Sequence, residues 1–80
     1  MMETRRYAYN FAEIDNATNM CIGVITTTDP NTEGPTGGGT TFVAIPVYDE
    51  NYSLKYYNWD NGKFYYDSAY TQEYISPLLQ

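Results

Sequence analysis

The sequence predicts a small, mainly β protein: an antiparallel meander of about five strands, forming two hairpins, with a long Gly/Pro loop and little helix. Short β-branched and aromatic segments alternate with clusters of Gly, Pro, Asn and Asp, which favour turns. Aromatic residues make up 18% of the 80 residues, and ten of them are Tyr, a strand-forming residue. A chain of this length forms one domain, so residues 1–80 are predicted to fold as a single unit.

The N-terminal part predicts a hairpin. Residues 7–15 (YAYNFAEID) alternate with a period of two, as a strand does. Residues 20–28 (MCIGVITTT) are mostly β-branched or apolar and form the clearest strand of the chain. Residues 15–19 favour a turn between them, because Asp and Asn side chains bond to nearby backbone. A flexible N-terminal arm is predicted at residues 1–6.

The middle of the chain predicts a long loop and a third strand. Residues 29–40 (DPNTEGPTGGGT) contain no large apolar residue to bury, so we expect a flexible loop. Residues 41–47 (TFVAIPV) form the third strand, and Pro46, which has no N–H, should end it or place it at a sheet edge. The polar residues 48–53 connect this strand to the next and have room for one helical turn.

A second hairpin is predicted at residues 54–58 and 63–66, joined by residues 59–62 (WDNG). Asn-Gly is a strong hairpin signal, because both residues tolerate the positive φ angles of a type I′ turn. The segment that follows is weakly patterned. There, Asp67 or Ser68 is a candidate N-cap for a short helix that would run through residue 74.

The charge of the chain narrows the classes of partner. The net charge is −6, with only four basic residues. Phosphate backbones and anionic membrane surfaces are bound by clustered Lys and Arg, so we expect neither nucleic acid nor a membrane as partner. No apolar run follows Arg5 and Arg6, and none approaches the length of a membrane span. We therefore expect no secretory signal and no transmembrane segment.

The residue types that carry catalysis are scarce. One Cys and no His leave no disulfide within the chain, and they disfavour a zinc site or a Cys–His nucleophile. The glycines of residues 34–40 lack the Lys and the following helix of a phosphate-binding loop. Cys21 alternates with apolar neighbours in a strand, as a buried residue does. We therefore predict that the chain is not an enzyme and binds no cofactor or metal.

The aromatic C-terminal half is the strongest candidate site. Consecutive tyrosines in a strand point to opposite faces, so the second hairpin presents aromatic rings on both sides. One side can pack on the first hairpin, and the other is then available to a protein partner. An ordinary core with an amphipathic surface, or stacking on a sugar, are alternatives. The predicted partner-binding residues are Tyr56, Tyr57, Trp59, Phe64, Tyr65 and Tyr66, with Arg5 and Arg6 pairing with acids of a neighbour.

Two stretches of the chain carry a family pattern. Residues 12–28 combine a strand, an Asp/Asn turn and Cys-Ile-Gly-Val, and residues 42–74 combine Ile-Pro-x-Tyr-Asp, Lys-Tyr-Tyr and Asn-Gly-Lys-Phe. This pattern resembles short proteins encoded in the tail and structural modules of bacteriophages. The resemblance implies a virion-associated or tail-fibre-associated β protein, made in the cytoplasm of the bacterial host. It implies no catalytic residues, and it does not include the glycine-rich loop.

These observations together predict a non-enzymatic bacteriophage structural or accessory virion protein. We expect it to dock on capsid, tail or fibre proteins through its aromatic strand faces, in many copies or as a homo-oligomer. The thin core of an 80-residue domain supports this expectation, because small domains gain stability from partners. Two alternatives remain: a phage-encoded acidic inhibitor of a host protein, and a glycan-binding module of a receptor-binding fibre.

Overall fold

A computed structural model describes residues 8–79, so the predicted arm at residues 1–6, with Arg5 and Arg6, lies outside the described residues. The described chain is mainly β, which confirms the predicted fold class. It forms two antiparallel sheets, of four and three strands. The strands are β1 (Tyr9–Asp15), β2 (Cys21–Thr27), β3 (Gly34–Pro35), β4 (Thr40–Ile45), β5 (Tyr56–Asn58), β6 (Lys63–Tyr65) and β7 (Glu73–Tyr74). Single 3-10 turns lie at Pro30–Thr32, Glu50–Tyr52 and Pro77–Leu79.

The first sheet has the strand order β2-β1-β4-β3, so β1 lies inside it. β1 and β2 form the predicted first hairpin. The turn between them contains Asn19 at φ 64°, a left-handed conformation that Asn tolerates better than most residues. The register shifts between Glu13 and Ile14, which leaves Ile22 as the extra residue of a β-bulge.

The glycine-rich segment contains a strand that the sequence did not predict. Gly34 and Pro35 form β3 and pair with β4. The turn between β3 and β4 is closed by a hydrogen bond of 3.0 Å from the Thr36 N–H to the Thr40 carbonyl. Pro35 fits because β3 is an edge strand, where a missing N–H is tolerated. The flexibility of residues 29–40 stays a prediction.

The middle of the chain follows two predictions closely. β4 ends at Ile45, directly before Pro46, as the missing N–H of Pro predicts. The polar connection then forms one 3-10 turn at Glu50–Tyr52. The Asp49 carboxylate begins this turn by accepting a hydrogen bond of 2.9 Å from the Asn51 N–H.

The second sheet has the strand order β5-β6-β7, and β5 and β6 form the predicted second hairpin. Its turn differs from the type I′ turn that Asn-Gly predicts. Within residues 59–62 only Gly62 has a positive φ, at 73°, and its N–H donates to the Asn58 carbonyl at 2.8 Å. The connection is therefore a four-residue loop, in which Asn61 keeps a negative φ.

The helix predicted after residue 67 is wrong. The Asp67 carboxylate accepts hydrogen bonds from the N–H groups of Thr71 and Gln72, four and five residues ahead, and from the Thr71 hydroxyl. These bonds close a loop rather than cap a first helical turn, where bonds reach two or three residues ahead. The chain then returns to the sheet, and the Tyr66 N–H donates to the Gln72 carbonyl beside β7.

The two sheets are joined along the first part of β2. The Cys21 N–H donates to the Lys55 carbonyl at 2.8 Å, and the Leu54 N–H donates to the Cys21 carbonyl at 2.7 Å. A β-bridge between Met20 and Tyr56 continues this pairing. The second sheet therefore begins as an extension of the first, which brings the aromatic hairpin next to the β1–β2 turn.

The main core combines aliphatic side chains from the first sheet with aromatic side chains from the second half of the chain. Its buried members are Ala12, Ile14, Cys21, Val43, Ile45, Tyr52, Phe64 and Tyr74. Phe11 is also buried but lies outside this cluster, with its ring edge-on to Phe42 at 6.4 Å. Both faces of the first sheet thus bury aromatic or aliphatic side chains.

Candidate functional site

Asn19 connects the first hairpin to the aromatic residues of the second sheet. Its side-chain oxygen accepts a hydrogen bond of 2.9 Å from the Trp59 indole N–H. Its side-chain amide donates a bond of 3.0 Å to the Tyr70 hydroxyl. Its backbone carbonyl accepts from the Tyr57 N–H at 2.8 Å. One residue of a tight turn therefore positions aromatic side chains that are distant in sequence.

Trp59 is exposed and held in place at the same time. Its relative exposure is 47%, although it carries the largest apolar surface of any side-chain type in the chain. The bond to Asn19 fixes the nitrogen of the indole, and the ring meets Tyr57 edge-on at 4.8 Å between centroids. The indole therefore presents about half of its surface to solvent in one orientation.

Tyr65 and Tyr70 extend this aromatic surface. Their rings lie 5.4 Å apart in an edge-to-face arrangement. The Asn61 amide donates to the Tyr65 hydroxyl at 2.9 Å, and the Asn19 amide bonds the Tyr70 hydroxyl. We call Asn19, Trp59, Tyr65 and Tyr70 the Asn19 cluster. Tyr56 lies opposite Tyr65 in the pairing of β5 with β6 and is half-buried.

Phe64 belongs to the core and not to the surface. It is 6% exposed, and its ring contacts Tyr52 at 4.7 Å and Tyr57 at 5.0 Å. We therefore correct the predicted role of Phe64 from a partner contact to a core residue. Tyr57 is half-buried between Phe64 and Trp59, so it supports Trp59 from beneath. The period of two explains this split, because Tyr57 and Phe64 face each other on the inner side of the hairpin.

Tyr66 lies in a second aromatic region, beside Lys55. It is 56% exposed, and its ring meets Tyr74 edge-on at 5.6 Å. The Lys55 ammonium lies 5.0 Å from the Tyr66 ring centre and 4.8 Å from that of Tyr74, within the range of cation–π attraction. It also donates to the Asn51 carbonyl at 2.8 Å. These contacts line a shallow groove that the sequence did not predict.

Asp49 is a buried carboxylate directly behind this groove. It accepts hydrogen bonds from the Tyr74 hydroxyl, the Ser76 hydroxyl at 2.6 Å and the Asn51 N–H at 2.9 Å. Burial by itself raises the pKa of Asp49, but the bonds from Ser76, Tyr74 and Asn51 outweigh it and hold the pKa below its usual value. Burial and the Asp49 charge raise the pKa of Tyr74 to about 12.

A second, smaller groove of about 170 Å³ lies between the end of β4 and β7. Its lining includes Pro46, Phe64 and Ile75, and Ile75 also lines the groove beside Lys55. An ion pair of 3.9 Å between Lys63 and Glu73 lies at this end of the second sheet. Apolar side chains are exposed along the C-terminal segment: Ile75 at 56%, Leu78 at 60% and Leu79 at 49%.

Sequence reasoning missed several residues of these sites. Asn19 carried only a turn signal, and Tyr70 lay in the segment predicted as helix. The sequence predicted Asp49 only as part of the polar connection at residues 48–53, yet it is 4% exposed. The Asp-x-Asn pattern before Tyr52 signalled its capping role, but its burial depends on Tyr74 and Ser76, which lie 25 and 27 residues away.

The described residues show no metal-binding arrangement and no membrane-spanning helix. Within residues 8–79, no group of three His, Cys, Asp or Glu side chains is placed to hold a metal ion. No helix of the described chain is long and apolar enough to cross a membrane. Cys21 is fully buried, and burial raises the pKa of its thiol. Neither a family model, nor a curated protein, nor a solved structure matches this chain.

Proposed function

We propose that this chain is a non-enzymatic accessory protein of a bacteriophage virion, which docks on a capsid, tail or fibre protein through its exposed aromatic surface. The observation that carries the proposal is Trp59, an exposed indole held in one orientation by Asn19 and Tyr57. Docking proteins place their strongest binding residues at such positions, and Trp and Tyr are the residue types most enriched there.

The energetics favour Trp59 as an anchor. Burying its remaining exposed surface under a partner is worth about 2–3 kcal/mol. Binding usually loses part of this gain to the ordering of the side chain. For Trp59 the ordering has already taken place in the free protein, because the hydrogen bond to Asn19 and the edge contact with Tyr57 define the orientation of the ring.

The remaining exposed aromatic and apolar residues support a protein partner. Tyr66, Ile75, Leu78 and Leu79 are each about half exposed or more, which is unusual for a cluster in one short segment. Exposed apolar side chains of this kind suit the centre of a protein interface. The net charge of −6 also favours partners whose docking surface is neutral or basic.

The virion location rests on the resemblance of residues 12–28 and 42–74 to short proteins of phage tail and structural modules. Two buried reactive groups of the described chain, the Cys21 thiol and the Asp49 carboxylate, agree with a role without catalysis. The buried Cys21 thiol is shielded from substrates, and the buried Asp49 carboxylate already accepts hydrogen bonds from three donors. We propose multiple copies per particle, made in the bacterial host and assembled with other virion proteins.

Quantitative mass spectrometry of purified phage particles tests this proposal directly. We expect the chain at a fixed copy number that matches the symmetry of the capsid or tail. A Trp59→Ala variant should be incorporated at a strongly reduced level, whereas Tyr48→Ala, which removes an aromatic ring of similar exposure, should be incorporated normally. Absence of the chain from particles, together with abundance in infected cells, contradicts the proposal and favours the inhibitor of a host protein.

Glycan binding is a second candidate, and the same residue favours it. A fixed, exposed indole offers a flat apolar surface on which a sugar ring stacks. Titration of saccharides found on bacterial surfaces, followed by Trp59 fluorescence, tests this function. Saccharide-dependent quenching supports a fibre module if the folded Trp59→Ala variant also loses saccharide binding in calorimetry, a readout that does not need the indole. Emission that ignores every sugar excludes this function.

A further inference from the structure

The outer side of β2 is a partly open sheet edge. β2 is the terminal strand of the first sheet and pairs with β1 on its inner side. On its outer side, the second sheet bonds the backbone of Cys21 through Leu54 and Lys55. Beyond Cys21, the backbone bonds of β2 to the rest of the described chain are those with β1, which leaves the outer edge of residues 23–27 open. Open backbone donors and acceptors are a template for another strand.

Beyond the β-bulge at Ile22, this edge carries no charge and no Pro that would block pairing. Residues 16–28 contain no charged residue and no Pro in a chain with ten acidic residues. Natural edge strands are usually blocked by Lys, Pro or an inward-pointing charge. Within residues 23–27 all side chains except Gly23 are β-branched, and such side chains pair well across strands.

Two exposed apolar residues lie at the beginning of the same edge. Ile22, the bulge residue, is 52% exposed, and Leu54, which bonds the Cys21 carbonyl, is 69% exposed. Leu54 also has a φ of 70°, a left-handed conformation that is unfavourable for a bulky residue. A strained leucine whose side chain is mostly exposed within residues 8–79 is suited to contact a second surface.

We propose that two copies of this chain pair antiparallel through β2 and form one continuous eight-stranded sheet across a twofold axis. The axis lies beside Ile25, so the start of each β2 meets the end of the other. Leu54 and Ile22 of each copy then cover Thr27 of its partner. Two copies that each carry a net charge of −6 can meet here, because residues 16–28 bring no charge to the contact. A contact through segments that contain Asp or Glu would place like charges opposite each other and repel.

Sedimentation equilibrium from about 1 µM to about 1 mM tests the proposal over the range of ordinary dimer affinities. We expect a monomer–dimer equilibrium that becomes tighter as salt is added, since salt screens the repulsion between two acidic chains. Thr26→Lys should weaken the dimer about tenfold or more, because a charge on an edge strand opposes pairing. Asn31→Lys, at another exposed position, adds the same charge away from the edge and should leave the dimer intact.

Leu54→Gly separates an interface role from a role in folding. Gly adopts a φ of 70° without strain, so the Tm of the monomer should stay unchanged or rise. The dimer should nevertheless weaken about fivefold or more, because the apolar cover of Leu54 is lost. The proposal requires that both Thr26→Lys and Leu54→Gly weaken the dimer. A chain that stays monomeric at about 1 mM, or either variant with unchanged dimer affinity, overturns it.

Discussion

The indole N–H of Trp59 donates a hydrogen bond of 2.9 Å to the side chain of Asn19, forty positions earlier in the chain. This bond joins the turn of the first hairpin to the loop of the second. Asn19 suits both the turn and the bond to Trp59. It tolerates the positive φ of the turn, and its side chain offers both a donor and an acceptor. The orientation of the exposed Trp59 indole therefore depends on a turn residue in the other sheet.

Substitution of Asn19 should increase the mobility of the Trp59 ring. Asn19→Gly keeps the positive φ accessible and removes only the side-chain bonds, so we expect a loss of about 1 kcal/mol in unfolding free energy. Asn19→Ala adds left-handed strain and should lose about 2 kcal/mol. In both variants the fluorescence anisotropy of Trp59 should fall. An unchanged anisotropy would show that the bond to Asn19 does not hold the ring.

The buried Asp49 should make the protein sensitive to acid. Hydrogen bonds hold its pKa below the unfolded value of 3.8, so its stabilising contribution is present above pH 3.8 and is lost as the pH falls through the lower folded pKa. Asp49→Asn should reduce the unfolding free energy by about 2 kcal/mol at neutral pH and flatten the acid dependence. Urea unfolding from pH 7 to pH 2 measures both effects. Asp60→Asn, in an exposed loop, is the matched control and should change neither.

Tyr74 should impose an alkaline limit on stability. Burial and the hydrogen bond to Asp49 raise its pKa to about 12, whereas the unfolded value is 10.0. The corresponding stability is fully present below pH 10 and is lost as the pH rises towards 12. Tyr74→Phe should therefore unfold with a weaker dependence on pH between 10 and 12 than the natural chain. An equal dependence in both would contradict the assignment, and Tyr48→Phe serves as the exposed control.

The Cys21 thiol should be unreactive in the folded protein. Burial raises its pKa, and the thiol donates to the Gly23 carbonyl at 3.2 Å. We expect slow reaction with a thiol-specific disulfide reagent at pH 8 in buffer and fast reaction in denaturant. The ratio of the two rates measures how often β2 opens. Comparable rates in both solutions would contradict the buried position of Cys21.

Local features of the sequence predicted much of the fold. The alternation in residues 7–15 and the Asp/Asn turn after it specified the first hairpin, because both signals act over a few residues. Pro46 marked the end of β4 for the same reason. Asn61-Gly62 marked the second hairpin but not its turn type, since the four-residue loop is closed by a bond from Gly62 to Asn58.

The aromatic composition predicted aromatic rings on the surface of the C-terminal half, but only the tertiary structure decided which rings are exposed. Phe64 turned inward and Trp59 outward, because the inner face of the second hairpin covers Tyr52 and Tyr74. The burial of Asp49 likewise depends on Ser76, 27 residues away. The sequence by itself determined β4 and the strands of the two hairpins, the acidic charge and the surplus of tyrosine, which are local or additive properties. Burial, the Asn19–Trp59 bond and the open edge of β2 depend on contacts between distant segments, and those exist only once the chain has folded.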